Sequence, residues 1–314
     1  MSLALILFFA GLLLLYFGAE YLITGSSRFA LSFGVRPLII GMTIVALATS
    51  MPELMVTLFA AVKESPDIAA GNIIGSNVAN IGLIMGTTAV ISPLAVNRDV
   101  LRREIPIMIA ASLLLYLFAL DGRLTFSDGL MMVAGLVGFL FYCLRSARHK
   151  GLERPADPEA VAAEQRTRKK DLLLIVLGIA GLAGGAELMV RSAVTIARSF
   201  GISELVIGMS IVALGTSLPE LAASTISAWK GEADISVGNV IGSNIFNIFF
   251  VLGLCAMIQP LVIEPSVLRF ELPIMLLFSL ALFPLLSRNP ILGRGKGAGL
   301  LTGYLAFVAV LFVR

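Results

Sequence analysis

GMTIVALATSMPEL (41–54) and GMSIVALGTSLPEL (208–221) are one segment written twice, 167 positions apart. The same offset pairs GNIIGSNVAN (71–80) with GNVIGSNIFN (238–247). Residues 34–96 align with 201–263 without a gap, and roughly half of the aligned positions are identical. The match extends outward: Gly18, Ala19 and Glu20 pair with Gly185, Ala186 and Glu187, and Glu104 and Pro106 with Glu271 and Pro273. Duplication for packing alone explains a shared apolar pattern. It does not explain identical polar residues in the middle of apolar stretches.

The chain has 314 residues, 58% hydrophobic and only 14% charged, with mean hydropathy +0.97. A soluble domain carries about 25% charged residues. Long apolar stretches alternating with short charged clusters are the mark of repeated membrane spans. Ten spans are expected, near 3–24, 36–61, 69–92, 104–120, 127–146, 171–192, 202–228, 236–259, 271–287 and 297–313. The fold class is therefore an all-α integral membrane protein of ten transmembrane helices in two five-helix repeats. Five is odd, so the second repeat enters the membrane upside down. Inverted repeats related by an axis in the membrane plane are the plan of secondary transporters, with the binding site at the midplane.

The expected organisation is a first repeat over 1–146, a hydrophilic linker over 147–170 and a second repeat over 171–314. The linker holds Arg148, Lys150, Arg154, Arg166, Arg168, Lys169 and Lys170 with Pro155 and Pro158, and is too short for a folded regulatory domain. Basic loops face the cytoplasm. With a cytoplasmic linker, the loops around Arg28 and Arg36, around Arg98, Arg102 and Arg103, and around Arg288, Arg294 and Lys296 are cytoplasmic too. Both termini then face outward, in the cell membrane. The first 24 residues lack a basic n-region, contain Glu20 and belong to the repeat, so they form a span and not a signal peptide. Cys143 and Cys255 have no metal-ligand spacing and are expected to be packing residues; His149, the single histidine, falls in the linker. The net charge of +3 gives no reason to expect nucleic acid. The bilayer is the partner, and the sequence leaves the oligomeric state open.

Pro52 and Pro219 sit near the centres of long apolar spans. Proline has no N–H and clashes with the carbonyl four residues back, so the helix should break and free carbonyls around Ala46 to Thr49 and Ala213 to Thr216. Backbone oxygens are left free at membrane depth only inside protein or along a polar cavity. Thr49, Ser50 and Glu53 add side-chain oxygens to one break, and Thr216, Ser217 and Glu220 to the other. A charge at the bilayer centre costs about 2.5–3.5 kcal/mol. No Lys or Arg lies near mid-span to offset it; a bound cation would. Asn72, Ser76 and Asn80, and their mates Asn239, Ser243 and Asn247, are spaced by four and share one helical face. Ser76, Asn80, Ser243 and Asn247 are expected to face the cluster. Asn77 and Asn244 serve equally as helix-packing residues. Gly71, Gly75, Gly238 and Gly242 are expected at close helix contacts. Glu20 and Glu187 either line an access path or bind the neighbouring repeat. The donors are all oxygen, which suits Ca²⁺ and disfavours zinc or copper; Mg²⁺ sheds its water too reluctantly.

These paired motifs resemble the α-repeats of the cation/calcium exchanger superfamily, most closely its prokaryotic sodium/calcium exchangers. The first copy departs from the pattern in having Ala48 where glycine is usual. The resemblance implies a cation site built from Glu53, Glu220, Thr49, Ser50, Thr216, Ser217, Ser76, Ser243, Asn80 and Asn247, with the carbonyls of Ala46 and Ala213 at outer ion positions. It implies antiport of Ca²⁺ against Na⁺ by alternating access, with the first and sixth spans sliding against the other eight, and no resident cofactor. Well-described members often carry aspartate at one of the positions of Asn80 and Asn247. Two formal negative charges balance one Ca²⁺, two monovalent ions or two protons; three Na⁺ would leave excess positive charge in a low-dielectric site. A Ca²⁺/H⁺ antiporter using the same two glutamates is the alternative. A cation channel is a different class, and channels build pores by oligomer symmetry or carbonyl filters, which one chain of two inverted halves does not offer. No H-E-x-x-H motif supports an enzyme.

Overall fold

The computed structural model describes residues 2–32, 35–62, 66–147, 158–200 and 213–313. His149 and the first part of the basic linker, together with the start of the seventh span, lie outside them. Among the described residues seven helices are long and apolar enough to cross a membrane, and the pair Pro37–Thr49 and Met51–Val62, bent by 45°, makes a further broken span. The seventh span is described from Ala213 onward, as Ala213–Thr216 and Leu218–Trp229. The tenth, Arg294–Val313, begins with Arg294 and Lys296.

Helices are the form that satisfies every backbone group within its own segment, which lipid requires. The third and eighth spans form the centre: their apolar windows are 78% buried, against 28% for the first, fifth and sixth. The outer helices turn large side chains such as Ile6, Phe9 and Leu13 outward, where lipid would cover them. The first and sixth spans pack backbone to backbone. A Cβ added at Gly18 would lie 2.6 Å from the Leu182 nitrogen, so only small residues permit that approach.

Two features add detail to the all-α plan. Leu94–Ala95 pairs antiparallel with Ile291–Leu292, and Arg123–Leu124 with Leu261–Val262. Each ladder joins the two repeats: the 167 offset carries Leu94–Ala95 onto Leu261–Val262, while their partner strands Arg123–Leu124 and Ile291–Leu292 are related by 168. The helix of the sixth span also starts at Pro158 and runs to Ser199, where the sequence pointed to a linker as far as 170. Proline at the first helical position followed by Ala, Glu, Gln, Arg and Lys favours a helix regardless of hydropathy.

Of the glycines expected at close contacts, Gly238 and Gly242 behave so: an added Cβ would meet Met42 at 3.1 Å and 2.6 Å respectively. Around Gly71 and Gly75 nothing described lies within 4 Å, and the repeat-matched packing stretch, 201–212, is outside the described residues.

Candidate functional site

Each TS-x-PE motif forms a break between two half-helices. Ser50 (φ −81°, ψ 5°) separates Ala46–Thr49 from Met51–Val62, and Ser217 (φ −90°, ψ 4°) separates Ala213–Thr216 from Leu218–Trp229. The proline opens the following half, where its missing N–H costs nothing. Glu53 and Glu220 thus fall in the first turn of a half-helix, whose N-terminal dipole favours a carboxylate.

The two breaks face each other across the molecule and exchange hydrogen bonds. Ser50 Oγ donates to Glu220 Oε1 at 3.4 Å, and Ser217 Oγ donates to Glu53 Oε1 at 3.4 Å. Both glutamates are 1% exposed, and neither has a basic partner among the described residues. Their second oxygens, Oε2 in each, have no hydrogen-bond partner; the same is true of Asn80 Oδ1, Asn247 Oδ1 and Ser243 Oγ. Buried polar atoms are almost always paired. These five orphan oxygens come from the second, third, seventh and eighth spans, and all belong to residues expected at the cation site.

The sodium/calcium exchanger protein family model matches residues 3–145 and 170–313. The chain belongs to the sodium/calcium exchanger family. Sodium/calcium exchanger MaX1 of Methanosarcina acetivorans is 32% identical over 342 residues, covering 96% of each chain. Inner membrane protein YrbG of Escherichia coli K12 is 41% identical over 320 residues, covering 99% of this chain and 98% of that one. Putative antiporter CaxA of Alkalimonas amylolytica is 39% identical over 317 residues, covering 99% of each. Among solved structures, the sodium-calcium exchanger NCX_Mj soaked with 10 mM Na⁺ and zero Ca²⁺ superposes with a TM-score of 0.88 at 32% identity, over 99% of both chains. The ten-helix, two-repeat fold of this exchanger family is the fold of the chain, which is a multi-pass membrane antiporter.

Within this exchanger the expected residues are placed as follows. Glu53, Glu220, Ser50, Ser217, Thr49, Thr216, Ser76, Ser243, Asn80 and Asn247 are all buried. Asn80 and Asn247 each open a π-helical turn, Asn80–Met85 and Asn247–Leu252. Such turns are rare and gather at functional sites; hydropathy gives no sign of them. The Ala46 oxygen is less free than the proline argument implies. It accepts from Ser50 N at 3.0 Å and from Thr49 Oγ1 at 3.3 Å. The chain bends at Ser50, two residues before the proline. In the second copy Ser217 N turns to the Leu214 oxygen instead, at 3.2 Å.

Asn72 and Asn239, grouped by spacing with the cation-facing trio, act as braces. Asn72 Nδ2 donates to Thr57 Oγ1 at 3.0 Å, and Asn239 Nδ2 to Ser224 Oγ at 2.9 Å. Thr49 Oγ1 donates to Asn239 Oδ1 at 3.2 Å, which ties one repeat's break to the other repeat's eighth span. Asn77 accepts from Asn247 Nδ2 at 3.1 Å and Asn244 donates to the Val240 oxygen at 2.8 Å; both are packing contacts. Thr57, Ser224, Ser112 and Ser279 are not singled out by the sequence pattern. Ser112 and Ser279 share a hydrogen bond of 3.4 Å. The signal was present, because each pair is repeat-matched, but hydroxyls inside an apolar helix carry no other mark. Cys143 and Cys255 are buried packing residues. Among the described residues no three His, Cys, Asp or Glu side chains cluster.

Proposed function

We propose that the chain exchanges Ca²⁺ for Na⁺ at the site between Glu53 and Glu220. The observation that carries this reading is the reciprocal pair of serine–glutamate hydrogen bonds with an orphan carboxylate oxygen on each side. Ca²⁺ takes six to eight oxygens in flexible geometry. The two carboxylates, Asn80, Asn247, Ser76, Ser243 and the hydroxyls of Thr49, Ser50, Thr216 and Ser217 offer more than that number, with the Ala46 and Ala213 carbonyls at the outer positions. Two carboxylates neutralise one Ca²⁺. The first and sixth spans, packed as one unit, slide along the other eight and expose the site to each side in turn. The repeats run over 1–146 and 171–314, the linker of 147–170 is cytoplasmic, and both termini lie outside the plasma membrane.

A second reading is favoured by one feature. Asn80 and Asn247 are both amides, so the glutamates hold the only formal charges, and two protons discharge them as completely as two Na⁺. The test is isotopic Ca²⁺ uptake into vesicles under separately imposed Na⁺ and H⁺ gradients. Uptake should follow an outward-directed Na⁺ gradient at constant pH. Uptake that ignores Na⁺ and tracks the pH gradient would replace Na⁺ by H⁺ as the coupling ion.

A further inference from the structure

Arg98 and Arg102 stand one helical turn apart where the chain enters the fourth span, Val100–Asp121. Between them and the end of the ninth span lies a pocket of about 160 Å³, lined by Arg98, Leu101, Arg102, Phe283, Leu286 and Ser287. Leu101 and Leu286 are buried and form an apolar floor; both arginines are exposed at the rim. The short ladder of Leu94–Ala95 with Ile291–Leu292 ties the two flanking loops together, so the pocket has a fixed frame.

Two other basic residues on this face, Arg294 and Lys296, are spent on the fold. Arg294 Nε donates to the Val90 oxygen at 3.2 Å, and Lys296 Nζ donates to the oxygens of Asn289 and Ile291 at 3.0 and 2.9 Å. Arg98 and Arg102 have no hydrogen-bond or ion-pair partner among the described residues. The nearby carboxylate of Glu104 is engaged by Tyr142, whose hydroxyl donates to it at 2.7 Å, and Asp99 forms no ion pair with either arginine.

The inverted repeat supplies an internal control. On the opposite face the matched segment is EPSVLRFE (264–271), with Pro265 at the position of Arg98 and Arg269 at that of Arg102. Leu120 and Asp121 there replace Ser287 and Arg288. The matched segment on the opposite face therefore keeps one arginine, Arg269, and lacks the pair. A bias that merely orients the chain needs basic residues near span ends. It needs neither a pocket nor guanidinium groups left unpaired above an apolar floor.

We propose that this pocket binds the phosphodiester headgroup of an anionic phospholipid of that leaflet. Arg98 and Arg102 grip the phosphate, as guanidinium forks do, and Phe283 lies along the first part of an acyl chain. Basic pockets between helices at the membrane surface recognise anionic headgroups in this way.

The full chain, purified in detergent and stripped of lipid, is offered phosphatidylglycerol or phosphatidylcholine, and retained lipid is read by native mass spectrometry. Wild type should retain phosphatidylglycerol roughly tenfold over phosphatidylcholine, on the scale of two surface arginines. Arg98→Gln and Arg102→Gln should each lower that preference about threefold, and the double variant should abolish it. Arg269→Gln, on the opposite face, should leave it unchanged. The single variants keep the test alive if the double variant folds poorly, and thermal unfolding in phosphatidylcholine should match wild type. A preference that survives both single variants and the double variant overturns the assignment. So does full displacement of phosphatidylglycerol by millimolar inorganic phosphate, which would make the pocket a site for a soluble anion.

Discussion

Glu20 and Glu187 occupy matched positions of the two repeats and live in different surroundings. Glu20 accepts from Lys230 Nζ at 3.1 Å, across from the first span to the end of the seventh, and Lys230 also donates to Thr24 at 2.9 Å. Nearby, Ser27 Oγ donates to Glu232 Oε1 at 2.7 Å. Glu187 pairs instead with Arg191 on its own helix, and both side chains are mostly exposed, at 60% and 78%. Glu187 also lines a cavity of about 370 Å³ that reaches Thr216, Pro219 and Pro52. One residue in two copies thus shows two states. Among the described residues, the first span is clasped to the seventh on the Glu20 side, and a cavity reaching Thr216 lies beside the sixth span on the Glu187 side; Lys63, the repeat mate of Lys230, is outside the described residues. The halves share a fold but not a conformation, which is what an alternating device built from inverted repeats requires.

Matched substitutions put that contrast to work. The largest effect is expected at the centre, where the halves are equivalent. Glu53→Gln and Glu220→Gln should each reduce vesicle Ca²⁺ uptake by at least roughly a hundredfold, since even residues supporting a metal ligand cost 10–100-fold. A variant that transports at near-normal rate while its mate is dead would show that the site is not shared. Next come the braces. Asn239 bonds Ser224, Thr49 and the Glu220 oxygen, whereas Asn72 bonds Thr57 and is only partly buried. Asn239→Ala should lower stability by about 1–3 kcal/mol and Asn72→Ala by less, as read from thermal unfolding in detergent. Equal losses would remove the asymmetry between the braces. The smallest effect belongs to the clasp. The Glu20 and Lys230 side chains are 34% and 30% exposed, so the pair contributes about 0.2–1 kcal/mol. Glu20→Gln should therefore speed maleimide labelling of a cysteine placed at Ser27 by no more than about fivefold. Glu187→Gln should leave it unchanged, and equal responses would dissolve the distinction between the two sides.

The duplication made the fold and the identity of the central polar residues legible. A constant offset reports which residues correspond, and charge at mid-span reports that something must offset it. The offset does not report which copy a side chain touches. Ser50 is three residues from Glu53, a helical neighbour, yet its hydroxyl reaches Glu220 because the chain bends at Ser50 itself. The same limit applies to Asn72 and Asn239. Spacing put them on a face with Ser76 and Ser243, but the face is wide enough to hold both a site and its brace. The helical run from Pro158 was hidden by its charge, since hydropathy reads membrane and solvent rather than helix and coil. The basic pocket at Arg98 depends on two loops meeting through a two-residue ladder, which no local pattern encodes.

The hydrogen bond between Ser112 and Ser279 has a consequence for how such a chain arises. The two serines are the same residue of the repeat, so a single five-span unit meeting an upside-down twin would bring that serine against itself. The bond from Ser50 to Glu220 and that from Ser217 to Glu53 would likewise be one contact made twice. An unfused pair of identical units could already assemble the whole ion site, with every mutation felt on both sides at once. Joining them in one gene lets the copies drift apart: Thr57 and Ser224 hold matched positions with different side chains, Glu187 faces an arginine where Glu20 has Thr24, and the arginine pocket is confined to one face of the membrane.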